Sequence, residues 1–193
     1  MDRGRPRPHK GWHTRGYLPH FDAGAVVQTI TFRLADSLPR AVYEAMVAAI
    51  CDDRERSYAL DRLIDEGRGE CLLRDSRNAQ IVRAALEHFD GERYRLIAWT
   101  IMPNHVHVMI EQICGFALGD IVRGWKSYTA REINKLRKSS GPVWAMAYFD
   151  RYVRDGEHYA SAVYYIENNP VKAGLAGCAE DWPFSSAANR ASD

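Results

Sequence analysis

The sequence predicts an α+β fold with an antiparallel-rich sheet, and three observations carry that reading. Two β-rich runs, residues 94–102 and 105–111, flank Pro103-Asn104 as a hairpin. A further β-branched run at 25–34 precedes a series of helical patterns. The longest of these, residues 118–137, follows the hairpin directly. Strands mixed with helices in this order point to helices packed on one face of the sheet.

Each element has its own local reason. Asp36-Ser-Leu-Pro39 offers helix-start chemistry before a helix at 40–50, where Val42, Met46, Ala49 and Ile50 recur at helical spacing. Residues 52–69 are dense in charge, with Leu60, Leu63 and Ile64 as their apolar members, and predict a surface helix leaving through Gly67 and Gly69. Ile81, Val82, Ala85, Leu86 and Phe89 predict a helix over 78–89, closed by Asp90-Gly91. After Ser139-Ser-Gly-Pro142 comes a short aromatic stretch, 143–152. Residues 157–168 then read as helix, with Asn169-Pro170 as its break and 181–193 as a loosely packed tail.

Composition excludes several classes. The 193 residues are 46% hydrophobic, enough for a real core, so disorder of the whole chain is ruled out. Lys and Arg number 26 against 25 Asp and Glu, a net charge of +1, so a nucleic-acid partner needs a local basic patch. No apolar run approaches the ~18 residues of a membrane span. Cys51, Cys71, Cys114 and Cys178 are scattered with no CxxC pair, which reads as reduced thiols in a cytoplasmic protein. Residues 1–20 hold four arginines, one lysine, three prolines and three histidines and read as an extended basic arm. Residues 21–140 then form the main domain and 141–193 a C-terminal helical extension on or near it.

The chemistry concentrates in Asn104-His-Val-His-Val-Met-Ile-Glu111. On a strand, His105 and His107 share one face, while Val106, Val108 and Ile110 take the other. Two imidazoles at alternate positions can converge on one divalent cation, and a third ligand must come from an element packed across them. The long helix offers candidates. At ~100° per residue, Glu132 lies ~40°, Lys135 ~20° and Arg131 ~60° from Tyr128. A phenol, a carboxylate and two cations therefore share one sector of that helix.

Met102-Pro-Asn-His-Val-His-Val108 and Trp125-Lys-Ser-Tyr-Thr-Ala-Arg-Glu-Ile-Asn134 resemble the single-tyrosine HUH transposases of the bacterial insertion-sequence type, and more closely their REP-associated branch. Gly16-Tyr-Leu-Pro-His20, Thr31-Phe-Arg-Leu34, Tyr148-Phe-Asp-Arg151, Tyr165-Ile-Glu-Asn-Asn-Pro-Val-Lys-Ala-Gly-Leu175 and Trp182-Pro-Phe-Ser-Ser186 extend the resemblance over nearly the whole chain. It implies a ferredoxin-like core whose antiparallel sheet carries the His-x-His strand, with the tyrosine-bearing helix packed across it. It implies metal-dependent nicking and rejoining of single-stranded DNA through a 5′-phosphotyrosine, on hairpin or REP-like sites. His105 and His107 map onto the metal pair and Tyr128 onto the nucleophile. The family's polar ligand one turn after the tyrosine, often Gln or Asn, maps onto Glu132. Tyr148 and Tyr152 stand as alternative nucleophiles.

Imidazole and carboxylate ligands suit Mg²⁺ or Mn²⁺. Arg33, Arg123, Lys126, Arg131, Lys135, Arg137, Lys138, Arg151, Arg154 and Lys172 are the candidate DNA contacts, interleaved with aromatics that can stack bases. The resemblance leaves a homodimer or a monomer open. A hairpin-binding protein that keeps the fold without cleavage is the alternative function.

Overall fold

Four strands form one antiparallel sheet, in which the second, third, first and fourth along the chain lie side by side in that order. In this computed structural model, residues 11–15, 18–22, 26–50 and 53–190 are described. The sheet strands are β3 (Val27–Arg33), β4 (Tyr94–Ile101), β5 (His105–Gln112) and β6 (Phe149–Tyr152). Helices α1 (Arg40–Ala49), α2 (Asp53–Asp65) and α3 (Ser76–Glu87) lie between β3 and β4, and α4 (Leu118–Arg137) lies between β5 and β6. Strand, helix, strand, strand, helix, strand, with the first and third strands central, is the ferredoxin-like arrangement that the resemblance implied.

The segment after β6 closes the molecule. Helix α5 (Gly156–Lys172) starts at Asp155, whose side chain accepts from the His158 N–H. It runs through Pro170 instead of stopping at Asn169. Proline removes only its own N–H, and the N–H groups of Ala173 and Leu175 return to the carbonyls of Asn169 and Pro170. The tail is also firmer than its composition suggests. The Trp182 indole donates to the Ile101 carbonyl at 3.1 Å, Ile101 N–H donates to Phe184, and Ser185 bridges to Thr100. It covers the exposed edge of β4 and ends in α6 (Ser186–Arg190).

Both faces of the sheet are covered, not one. Ile30, Phe32, Val106, Val108 and Ile110 form one core with Val82 and Leu86 of α3 and Ile121, Val122, Trp125 and Ile133 of α4. Met109 and Ala98 point the other way, against Ala162 and Ile166 of α5. Helix α2 is not a surface helix either. Leu60 and Ile64 are fully buried and pack with Leu38, Tyr43 and Met46.

Two strands are described near the N-terminus. Strands β1 (Gly11–Arg15) and β2 (Leu18–Asp22), in the segment read as a basic arm, pair antiparallel. The rest of that arm lies outside the described residues, as does Cys51. Cys71, Cys114 and Cys178 are free thiols. Among the described residues no helix is long and apolar enough to cross a membrane.

Candidate metal and tyrosine site

Strand alternation sends His105 and His107 to the face that α5 covers, and both are buried. Their Nε2 atoms lie 3.0 Å apart. Each Nδ1 is held from behind. His105 Nδ1 lies 2.8 Å from Asn104 Oδ1, and His107 Nδ1 lies 2.8 Å from Thr31 Oγ1, its partner across the β3–β5 ladder.

The Asn104 contact fixes a tautomer. Asn104 Nδ2 donates to the carbonyls of Ile64 (2.9 Å) and Arg68 (3.2 Å), so the atom facing His105 is its carbonyl oxygen. His105 Nδ1 must then carry the proton, and its Nε2 presents a lone pair. Thr31 Oγ1 can donate or accept, so His107 can keep either tautomer. Without a cation, His107 Nε2–H can donate to His105; with one, the proton moves to Nδ1 and Thr31 accepts it.

Burial holds both imidazoles neutral, His105 well below its ordinary range and His107 pushed down to about 3. The His107 ring adds to the effect on His105, and the positive charge of Lys172 adds to both. Neutral imidazole is the form that binds metal.

The third group is Asp65, at the end of α2. Asp65 Oδ1 lies 3.6 Å from His105 Nε2, and Oδ2 accepts from Lys172 Nζ at 2.9 Å. Because His105 is neutral with its lone pair outward, the 3.6 Å contact is not an ion pair. Asp65 Oδ1 is buried with no hydrogen-bond partner among the described residues. The Nε2 atoms of both histidines and an orphaned carboxylate oxygen converge on one point, where a cation would engage all three at once. Donor atoms of Asp65, His105 and His107 all lie within 4.8 Å of one another, and this is the one such cluster among the described residues. The donor set fits Mn²⁺ or Mg²⁺.

The phenol that stands beside the histidines is not that of Tyr128. Tyr165 of α5 stands edge-on to His107, ring centroids 5.7 Å apart, with Lys172 Nζ 5.5 Å from its own ring centre. Its hydroxyl donates to Asp61 Oδ2 at 2.8 Å. A cleft of about 850 Å³ opens beside these groups, lined by Thr29, Thr31, Asp61, His107, Arg151, His158, Tyr164, Tyr165, Asn168 and Lys172 among others.

Tyr128 and Glu132 lie elsewhere. Helix α4 lays Trp125 and Ile133 on the face of Val106 and Val108, so the sheet separates it from the histidines. Tyr128 is 45% exposed under the Arg131 guanidinium, and Glu132 pairs with Arg131 at 3.0 Å. The expected shared face of that helix exists, but it looks to solvent. Asp65 stands where Glu132 was expected. Tyr148 is buried with β3 and α4 residues, and Tyr152 stacks under Arg154; neither lines the cleft.

The candidate DNA contacts divide similarly. Arg151 and Lys172 line the cleft, and Arg154 lies exposed just past β6. Arg33 is turned inward, where its guanidinium donates to Ser37 and to the carbonyls of Leu34 and Leu38. Lys126 Nζ donates to the carbonyls of Ala145 (2.6 Å) and Met146 (2.8 Å), and burial lowers it to about 8. Both are structural ties. Arg123 and Arg137 are exposed in ion pairs with Asp120 and Glu70, while Lys135 and Lys138 face solvent at the end of α4.

Sequence reasoning did not single out Asp61, Asp65 and Tyr165, which the structure gathers beside the histidines. The signal was there as spacing: Asp61 and Asp65 share a helix face one turn apart, and so do Tyr165 and Asn169. Asn169 is buried and both polar atoms of its amide lack partners among the described residues. A tyrosine with a polar amide one turn on is the spacing that the resemblance implied.

A ferredoxin-like sheet with a buried His-x-His pair, a carboxylate and a tyrosine helix across them defines the HUH single-tyrosine class. The family model described as Transposase IS200 like matches residues 68–169, just over half of the chain, and the chain belongs to that family. A REP-associated tyrosine transposase of Haemophilus influenzae is 28% identical over 149 residues, covering 71% of this chain and 75% of its own. The REP-associated tyrosine transposase of Escherichia coli K12 is 30% identical over 114 residues, covering 55% of this chain and 62% of its own. The solved REP-associated tyrosine transposase bound to a REP hairpin shares the fold, with a TM-score of 0.62, 18% identity and coverage of 93% of this chain and 86% of that one.

Proposed function

We propose that this protein nicks and rejoins single-stranded DNA at REP-like hairpins, with Tyr165 as the nucleophile and Asp65, His105 and His107 as the metal ligands. The observation that carries the reading is the Tyr165 ring against His107, on a helix that crosses the histidine face. A bound Mn²⁺ or Mg²⁺ would supply positive charge at the scissile phosphate. The residues of the chain do the rest. Asn104 and Thr31 hold the imidazoles in register, and Lys172 and Arg151 place the phosphate in the cleft. Asn169 is a further oxygen donor one turn behind the nucleophile.

The Tyr165 phenol oxygen attacks phosphorus and the P–O3′ bond breaks. The product is a 5′-phosphotyrosyl link and a free 3′-hydroxyl, so the strand can be rejoined without ATP. Tyr165 and the histidines belong to one chain, so a monomer holds a whole site. The naming of the relatives after REP elements, and the fold shared with a hairpin-bound one, support hairpin DNA as the substrate.

The test is mass spectrometry of the adduct formed with Mn²⁺ on a single strand flanking a hairpin. The nucleotide should sit on the peptide containing Tyr165, Tyr165→Phe should form none, and Tyr128→Phe should form as much as the unmodified protein. A label on the Tyr128 peptide would overturn the assignment.

A further inference from the structure

One buried carboxylate beside this site lies outside the cluster of Asp65, His105 and His107. Asp61 lies one turn before Asp65 on α2 and is 6% exposed. A carboxylate taken from water costs several kcal/mol unless it is paired. Asp61 is poorly compensated: Oδ2 accepts from the Tyr165 hydroxyl at 2.8 Å, and Oδ1 has no hydrogen-bond partner among the described residues. An interior carboxylate whose described partner is the attacking phenol is a costly arrangement for packing alone.

We propose that Asp61 is the proton shuttle of Tyr165, accepting the phenol proton during cleavage and returning it during joining. The inference rests on Tyr165 being the nucleophile. In cleavage the phenolic O–H proton passes to Asp61 Oδ2, the oxygen attacks phosphorus, and the P–O3′ pair stays on the 3′ oxygen, which takes a proton from water. In joining the 3′-hydroxyl attacks and loses its proton to water. The P–O bond to Tyr165 then breaks, and Asp61 gives its proton back to the phenol oxygen. Atoms and charge balance with no other reactant.

The surroundings suit this work. A free phenol holds its proton until about pH 10, so near neutrality a base must take it. Burial pushes the Asp61 carboxyl up to about 7, the Tyr165 hydrogen bond offsets part of that, Asp65 adds to the rise and Lys172 opposes it. The other charged or titratable groups lining the cleft are His107 of β5, Arg151 of β6, and His158 and Tyr164 of α5. A base matched to neutral pH reaches the proton without sacrificing its basicity.

The experiment is single-turnover cleavage of hairpin-flanked single strands by the Mn²⁺-loaded protein from pH 5.5 to 9.5. The unmodified protein should gain rate with rising pH and level off well below the pH at which a free phenol ionises. Asp61→Asn, whose amide oxygen still accepts from the phenol, should be about 100-fold slower at pH 7 and rise tenfold per pH unit with no plateau there. Asp61→Glu keeps a carboxylate and should keep a plateau at a lower rate. An Asp61→Asn profile of unchanged shape would overturn the shuttle, since a merely structural loss lowers every pH equally. Weaker Mn²⁺ binding by Asp61→Asn in calorimetry would overturn it too, by making Asp61 a ligand. If the adduct stays on Tyr165 while the profile is unchanged, only the shuttle fails. If the adduct is on another residue, the reading beneath it fails as well.

Discussion

The two faces of the sheet are equally buried and chemically opposite. On the α3–α4 face, Phe32 packs on Trp125 and edge-on to Trp144, and Val106, Val108 and Ile110 fill the rest. The Trp125 and Tyr94 polar atoms in that layer are answered, while Asn78 Oδ1 of α3 has no hydrogen-bond partner among the described residues. The Trp125 indole donates to the Tyr94 hydroxyl at 2.9 Å and Tyr94 donates to the Leu86 carbonyl at 2.7 Å. On the α2–α5 face, His105, His107, Asp61 and Asn169 are buried around the half-buried Asp65, and both aspartates and the asparagine keep atoms without partners among the described residues. Native proteins leave few such atoms, and they concentrate where a ligand or a proton transfer completes them. One face holds the fold, and the other holds unsatisfied chemistry that the first face makes affordable.

If that division is right, substitutions on the two faces separate stability from metal binding. The largest effect belongs to Trp125→Ala. It removes a large side chain that is 3% exposed and leaves the Tyr94 hydroxyl without its donor. A loss of about 3–5 kcal/mol in urea unfolding is expected, with Mn²⁺ affinity per folded molecule unchanged. A drop in affinity larger than the drop in folded fraction would show that the faces are coupled.

The second contrast sets Asp65→Ala against Glu132→Ala. Removing Asp65 takes one of three converging donors and frees Lys172, so Mn²⁺ affinity in calorimetry should fall by at least about tenfold to 100-fold. Glu132 meets only Arg131 on the other side, and an exposed pair of this kind is worth at most about 1 kcal/mol. Glu132→Ala should leave metal binding alone.

How far the sequence could be read follows from the same division. Period-two alternation placed the histidines on one face and the valines on the other, because strand geometry is local. The ferredoxin-like order came from the family resemblance, and Asn104 and Thr31 were within reach of its motifs. Which helix covers which face was not local. The pattern of α4 showed an apolar stripe and a polar sector, and both exist; the stripe meets the valines and the polar sector meets water. Assigning the polar sector to the histidines required the histidine face to lack another cover. Helix α5 supplies that cover, and Pro170 hid its last turn. Asp65 reaches the histidines from the segment between β3 and α3, where dense charge read as surface.

The third contrast is in pH. Both histidines are buried neutral, with folded pKa values below the ordinary 6.5 and His107 at about 3. Their contribution to stability is whole above pH 6.5. As pH falls below it the unfolded chain takes up protons that the folded one refuses, so stability is lost towards the folded pKa. In metal-free protein each histidine can cost up to about 1.4 kcal/mol per pH unit. Thermal melts in a chelator should show falling Tm from pH 6.5 to 5, and saturating Mn²⁺ should restore part of it. A melt unchanged over that range would mean that the imidazoles are protonated in the folded state.

The smallest contrast uses one residue type on both faces. Thr31 on the histidine face meets His107 Nδ1, while Thr129 on α4 accepts from the Trp144 indole at 2.8 Å and donates to the Trp125 carbonyl at 2.7 Å. Valine matches threonine in shape, so each Thr→Val change removes a hydroxyl and little else. Thr129→Val strands a buried indole N–H, which costs about 1–3 kcal/mol of stability and nothing in metal affinity. Thr31→Val acts differently, because His107 has a second tautomer. Without the ion, the ring loses its hydroxyl partner but still donates through Nε2 to His105. With the ion, Nδ1 must carry the proton and has no acceptor. The penalty therefore falls on the metal-bound state, and Mn²⁺ affinity should drop about tenfold while the metal-free protein loses less stability than Thr129→Val does. Calorimetry and urea unfolding of the two variants side by side measure both quantities. Equal losses of stability with equal metal affinity would mean that Thr31 only packs, and that His107 does not change tautomer when the ion binds.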